Sequence, residues 1–199
     1  MIERLRIVTI FIALSLIIFS TSCTQIEEQD NEGIIKEANL TEKEEALIKG
    51  TGVNYSFVFE YINNKDSEKI DVWIEKYLGG QKVGEILKTT NSYGDEYDKF
   101  ITLSITDIQE TNIWSISFIE GQNISTGKIK SNNELGKTST WDYIKSINVS
   151  EGEYVLAALV GNDGNEINGI PSNFFQDPGK YLDDILINDY VYLLKIKIY

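Results

Sequence analysis

The chain reads as all-β: an immunoglobulin-like β-sandwich of about eight or nine strands, with a closed β-barrel as the alternative. Two observations predict this. From Asn54 onward apolar residues recur at every second position, in short runs rich in β-branched and aromatic side chains. Gly, Asn, Asp and Ser separate those runs, and no long stretch keeps a helical period.

The elements follow in order. Tyr55, Phe57, Phe59 and Tyr61 alternate with Ser56, Val58, Glu60 and Ile62, and Ile70, Val72 and Ile74 alternate with Asp71, Trp73 and Glu75. Successive strand side chains point to opposite faces, so each run carries one core face. The same pattern returns in Ile101/Leu103/Ile105, Trp114/Ile116/Phe118, Tyr154/Leu156/Ala158/Val160 and Leu194/Ile196/Ile198. Trp73, Tyr77, Leu78, Gly80, Gln81 and Val83 match Trp114, Phe118, Ile119, Gly121, Gln122 and Ile124 at a constant offset of 41. Both segments read as strand, glycine turn, strand: either a duplicated hairpin or two hairpins that reach one solution independently.

Three regions precede or make up this pattern. The chain divides on this reading into an N-terminal segment 1–22 of secretory-signal type, an acidic tether 23–50 in which a short helix is possible, and the β-sandwich domain 51–199. The tether opens with Glu27, Glu28, Asp30 and Glu32 and has no aromatic residue, a composition that favours an extended, flexible chain. Near its end Thr41-Glu42-Lys43-Glu44 has the form of a capping box, which predicts a helix over Glu42–Lys49 stopped by Gly50 and Gly52. So short a helix does not persist alone: either it docks on the domain through Leu40, Ala46, Leu47 and Ile48, or the segment is a partly disordered spacer.

The N-terminus follows the plan of a secretory signal. Arg4 and Arg6 outnumber Glu3, and Ile7–Phe19 is an uncharged apolar run. As a helix it spans about 20 Å, short of the ~30 Å of a bilayer core. Ser20-Thr21-Ser22 and Cys23, the sole cysteine, come next. This arrangement resembles the lipobox of bacterial lipoproteins, in which the cysteine receives a diacylglycerol and becomes the mature N-terminus. Ser20 departs from the aliphatic residue usual there, and Ser20-x-Ser22 also reads as an ordinary cleavage site, which would leave Cys23 a free thiol. The resemblance implies lipidation of Cys23 and a membrane partner held through that anchor. The abundance of Ile, Lys and Asn favours a Gram-positive cell surface, with a Gram-negative periplasm as the other placement.

Beyond residue 22 the chain holds 16 Lys and no Arg against 30 Asp plus Glu, a formal charge of −14. Phosphate and nucleic-acid sites need basic clusters, so no nucleic-acid partner is expected. There is no histidine. Ser-His-Asp and Cys-His nucleophilic sites and His-containing zinc sites are therefore excluded, and no cofactor or metal is expected. Carboxylate chemistry, a lysine-activated nucleophile and oxygen-ligated calcium stay open.

Three segments stand out. Tyr93-Gly94-Asp95-Glu96-Tyr97-Asp98 crowds three carboxylates between two tyrosines. It suits calcium or a stacked sugar, and equally a solvated connector. Gly161-Asn162-Asp163-Gly164-Asn165-Glu166 invites a calcium reading too, but it departs from the EF-hand spacing and Asp163-Gly164 reads as a turn. Ile170–Leu186, with Phe174, Phe175, Tyr181 and the Asp183-Asp184 pair, lacks alternation; it either caps the core or binds a partner. Trp73, Trp114 and Trp141 offer an aromatic platform for glycans or, in strand-like runs, core packing. The leading expectation is a non-enzymatic binding domain for a protein, peptide or glycan at the cell surface. The alternatives are a carboxylate-dependent hydrolase of cell-wall or extracellular glycans and a structural or immunity-type lipoprotein.

Overall fold

The computed structural model describes residues 33–62, 68–93, 99–132 and 134–199. Cys23, the signal segment and the first part of the tether lie outside the described residues. In chain order the elements are β1 (Gly33–Glu37), α1 (Glu42–Gly50), β2 (Tyr55–Ile62), β3 (Glu68–Leu78), β4 (Gln81–Tyr93), β5 (Lys99–Ile108), β6 (Thr111–Glu120) and β7 (Asn123–Asn132). They continue with β8 (Thr138–Tyr143), β9 (Ser146–Val149), β10 (Gly152–Asn162), α2 (Pro178–Leu186) and β11 (Tyr190–Ile198).

Two antiparallel sheets form an open β-sandwich, not a closed barrel. The six-stranded sheet runs β7-β6-β5-β2-β1-β9 and the five-stranded sheet β4-β3-β11-β10-β8. Among the described residues there are eleven strands, more than the eight or nine that the alternation suggests. The excess comes from short strands. β1 lies inside the segment read from sequence as tether, yet it pairs with both β2 and β9 and buries Ile35 completely.

Between the sheets the alternating residues pack as expected: Phe57, Phe59 and Tyr61 meet Ile101, Leu103, Ile105, Trp114, Ile116 and Phe118 from their own sheet. Ile70, Val72, Ile74, Leu194, Ile196 and Ile198 face them from the other. Each such side chain contributes about 1.5–3 kcal/mol by leaving water. β10 departs from simple alternation. A bulge between Val155 and Ala157 places both Leu156 and Ala157 in the inner core. Beyond it the phase has slipped by one residue, so Ala158 and Val160 join Val155 on the outer face.

That outer face has its own cover. Phe174, Ile185 and the apolar side of α2 pack on Tyr77, Val155, Ala158, Val160, Val191 and Leu193, a second core cluster. Asp177 caps α2 by accepting from the Lys180 N–H at 3.2 Å, and Pro178 occupies the first turn, where its missing N–H costs nothing.

The two segments matched at an offset of 41 are both hairpins, β3–β4 and β6–β7, and each ends its sheet. Their tryptophans take opposite faces. Trp114 lies in the inner core, its ring 4.7 Å from that of Tyr192. Trp73 lies on the outer face beneath Lys88 and Lys195, whose ammonium groups stand 5.2 and 5.7 Å from its ring centroid. The shared spacing is therefore that of two glycine-turned hairpins, without a shared packing role.

Candidate functional site

The site begins with a strand that stops early. β1 ends at Glu37, opposite Phe59, while β2 starts at Tyr55 and stays paired with β5 from Tyr55 to Tyr61. The last rung on the β1 side is the Ala38 N–H donating to the Val58 carbonyl at 2.9 Å. In an antiparallel ladder alternate residues turn their N–H and C=O to alternate sides. The backbone of Ser56, two positions before Val58, thus points to the side β1 has left.

The chain turns away there into α1. The capping box is formed: Thr41 Oγ1 accepts from the Glu44 N–H at 3.3 Å, and Glu44 Oε2 accepts from the Thr41 N–H at 2.8 Å. Glu42, Glu44 and Glu45 at the N-terminal turn and Lys49 at the last turn suit the helix dipole. Of the four residues expected to dock, Leu40 and Ile48 are half-buried, whereas Ala46 and Leu47 stay exposed. No residue of α1 is buried, and Leu47 is 63% exposed. Nine residues between two anchored ends supply the helix but too little apolar surface to cover a sheet.

Between α1 and β2 lies a groove of about 340 Å³. Leu40, Ile48 and Val53 line it along with Ser56, Phe57 and Val58, and Trp141 and Tyr143 of β8 close it. The aromatic residues touch one another. Trp141 stacks on Tyr143 with centroids 5.7 Å apart and planes at 22°, and Phe57 meets Trp141 edge-on at 5.2 Å. Trp141 keeps 43% of its surface exposed. Trp141 thus gives the groove an accessible amphipathic ring of the kind enriched at interfaces.

The rim is polar but balanced. Glu37 accepts from Lys145 at 2.8 Å and from the Tyr143 hydroxyl, and Lys49 pairs with Glu45 at 3.2 Å. The Lys145 and Tyr143 hydrogen bonds hold the Glu37 carboxyl below its ordinary value, and the same carboxylate raises Lys145 to about 12. Burial and the bond to Glu37 push the Tyr143 hydroxyl up. At neutral pH these groups stay ionised, ionised and neutral respectively. Each charge on the rim has its counter-charge, so the groove suits a neutral ligand.

Buried carboxylates occur elsewhere. On the outer face of β3, Asp71 accepts from Thr90 at 2.6 Å and from Tyr199 at 2.8 Å, with Lys88 3.3 Å away. Glu75 accepts from Tyr77 and, at 2.5 Å, from Lys82. Burial raises both carboxyls, but their hydrogen bonds and lysines outweigh it and hold both low. Four residues apart on one strand, they are about 13 Å from each other. A glycosidase pair stands ~5–9.5 Å apart, so these two cannot act together on one bond.

A family model, the YgaN domain, matches residues 34–198. The chain belongs to the YgaN domain family. No curated protein and no solved structure matches it. The match runs from β1 to β11, so the YgaN domain takes in both sheets, α1 and the groove.

Of the residues singled out from sequence, Asp95, Glu96, Tyr97 and Asp98 lie outside the described residues, and Tyr93 is described only by its backbone at the end of β4. Phe174 is wholly buried in the YgaN domain and meets Phe175 edge-on at 5.2 Å. Tyr181, beneath Lys180, packs against the same cluster. These three serve to hold α2 on the sheet. The Asn162–Glu166 segment is a turn: Asp163 Oδ2 accepts from the Tyr190 hydroxyl at 3.0 Å, and Asn162 Oδ1 from the Asp189 N–H at 2.7 Å. Among the described residues no group of three or more acidic side chains is placed to hold a metal ion. The groove itself is not legible from sequence, although Trp141 and Tyr143, two apart in an otherwise polar run, signal an aromatic face at strand spacing.

Proposed function

We propose that this chain is a lipoprotein anchored through Cys23 on the extracytoplasmic face of the membrane, and that its YgaN domain is a non-enzymatic binding module. The observation that carries the binding role is the groove: an exposed, stacked Trp141 in a cleft with Leu40, Ile48 and Val53, its rim charges Glu37/Lys145 and Glu45/Lys49 paired. Chemistry by carboxylates finds little support. Glu37 is held ionised by Lys145 and cannot donate a proton near neutrality, and the buried pair on β3 is too widely spaced.

The placement of the groove suits a tethered protein. The described chain begins at Gly33, and β1 carries it from there towards the groove, about 14 Å along the strand. On the outer face of the six-stranded sheet Ile34 pairs with Ile62 beside Gly33, and both are exposed, while Phe100, Ile119 and Ile124 line up across β5, β6 and β7 level with the Lys36–Glu60 ion pair. Among the described residues no helix is long and apolar enough to cross a membrane.

Two measurements test this. Intact mass of the membrane-extracted protein is expected to show a diacylglycerol-sized increment on Cys23 that Cys23→Ala lacks. An unmodified chain starting at Cys23 overturns the anchor. Displayed random heptapeptides and soluble peptidoglycan fragments are then offered to the mature protein. At least one is expected to bind, to shield Trp141 from acrylamide and to be lost with Trp141→Ala. Cleavage of the fragments, abolished by Glu37→Gln, would replace binding with hydrolysis.

A further inference from the structure

We infer that the groove takes an extended peptide, which joins the six-stranded sheet on the edge of β2 that β1 leaves open at Ser56. This rests on the reading of the groove as the binding site and narrows its ligand to a polypeptide strand. The register carries the argument. β1 follows β2 from Ile62 to Phe59, and one further rung joins Ala38 to Val58. Ahead of that rung, Tyr55–Phe57 has β5 on one side and the groove on the other. Ser56 then offers one N–H and one C=O on the groove side, the spacing that a main chain accepts and donates across a ladder.

The walls fit a strand better than a sugar. A strand added to β2 lies about 4.8 Å from it, in line with the track β1 abandons. On its other side runs α1, whose nine residues are held at both ends and bury nothing. One face of the added strand meets Phe57, Trp141 and Tyr143, which touch one another at 5.2 to 5.7 Å. Side chains pointing to that face are expected to be apolar or aromatic, at alternate positions. The paired rim leaves no free charge to attract a charged peptide, so selection should fall on shape and apolar surface.

Heptapeptides selected on the mature protein by display, then synthesised, supply the probe. N-methylation of alternate peptide amides removes main-chain donors on one side of a strand only. The expected result is that one parity of methylation weakens binding tenfold or more and the other leaves it near the parent. Ser56→Pro removes the groove-side N–H while leaving the β5 ladder intact, and is expected to weaken binding tenfold or more. The methylation series leaves the protein unaltered and so decides the matter where the proline variant misfolds. Binding that is lost with Trp141→Ala but indifferent to both methylation patterns keeps the groove and overturns the added strand. So does retention of peptidoglycan fragments alone, with no heptapeptide selected.

Discussion

Glu37 and Lys145 are 108 residues apart in the chain, and their side chains meet at 2.8 Å. The contact joins the last residue of β1, in one sheet, to the segment that follows β8 of the other. The Tyr143 hydroxyl bonds both partners, donating to Glu37 and accepting from Lys145 at 3.0 Å. The pair thus fixes the ring on which Trp141 stacks. Lys145→Ala is expected to cost under about 1 kcal/mol in urea denaturation, because the pair is exposed. Its larger effect should be on binding, weakened severalfold as Tyr143 loses its hold.

Trp141 is the exposed member of the three tryptophans; Trp73 and Trp114 are 4% and 1% exposed. Acrylamide should quench a red-shifted fraction of the emission in the parent protein. That fraction is expected to vanish in Trp141→Ala. Loss of the edge and stacked contacts should cost about 1–2 kcal/mol.

Gly161 and Gly136 are where β10 and the segment before β8 come closest. A Cβ on Gly161 would stand 2.1 Å from the Leu135 carbonyl oxygen, and one on Gly136, at φ +72°, 2.4 Å from that of Asn162. Neither neighbour is a side chain that can swing aside. Gly161→Ala is expected to destabilise by about 3 kcal/mol or more, the range that backbone strain and overpacking produce. A thermal melt within a degree of the parent would contradict this packing.

Acid should unfold the protein partly through β3. Asp71 and Glu75 have folded-state pKa values below their unfolded values of 3.8 and 4.5. Their stabilisation is complete above those unfolded values and is lost as pH falls from about 4.5 through the lower folded values. Asp71→Asn is expected to lower stability at pH 7 by about 2 kcal/mol, since hydrogen bonds to a charged group are lost. Its stability curve should also be flatter than the parent's below pH 4.5.

Phe174 holds α2 on the outer face of the five-stranded sheet. Phe174→Ala is expected to cost about 3–5 kcal/mol. Hydrogen exchange should show the loss first in residues 163–189, with the inner core following only on global unfolding.

The sandwich was legible because strands with one face inward announce themselves: Tyr55–Ile62, Ile101–Ile105 and Trp114–Phe118 keep their phase throughout. β1 escaped because Gly-Ile-Ile-Lys-Glu is too short for a period and follows an acidic stretch. β10 kept its alternation in sequence but not in space, since a bulge is a backbone event that no side-chain pattern records. On the outer face of β3, Asp71 and Glu75 read as solvent-facing, yet lysines from β4 and β11 cover them. The groove was illegible for a similar reason. It depends on where β1 stops relative to β2, a relation between segments that no local window contains.

The open edge of β2 depends on that stop. Amide hydrogen exchange at Ser56, compared with Phe57, tests it most directly in the free protein. Phe57 donates into the β5 ladder and Ser56 faces the groove, so Ser56 is expected to exchange at least a hundredfold faster. Addition of a groove-binding heptapeptide should then slow Ser56 and leave Phe57 unchanged. Equal, strong protection of both amides in the free protein would mean that the edge of β2 is already filled, contradicting the open groove.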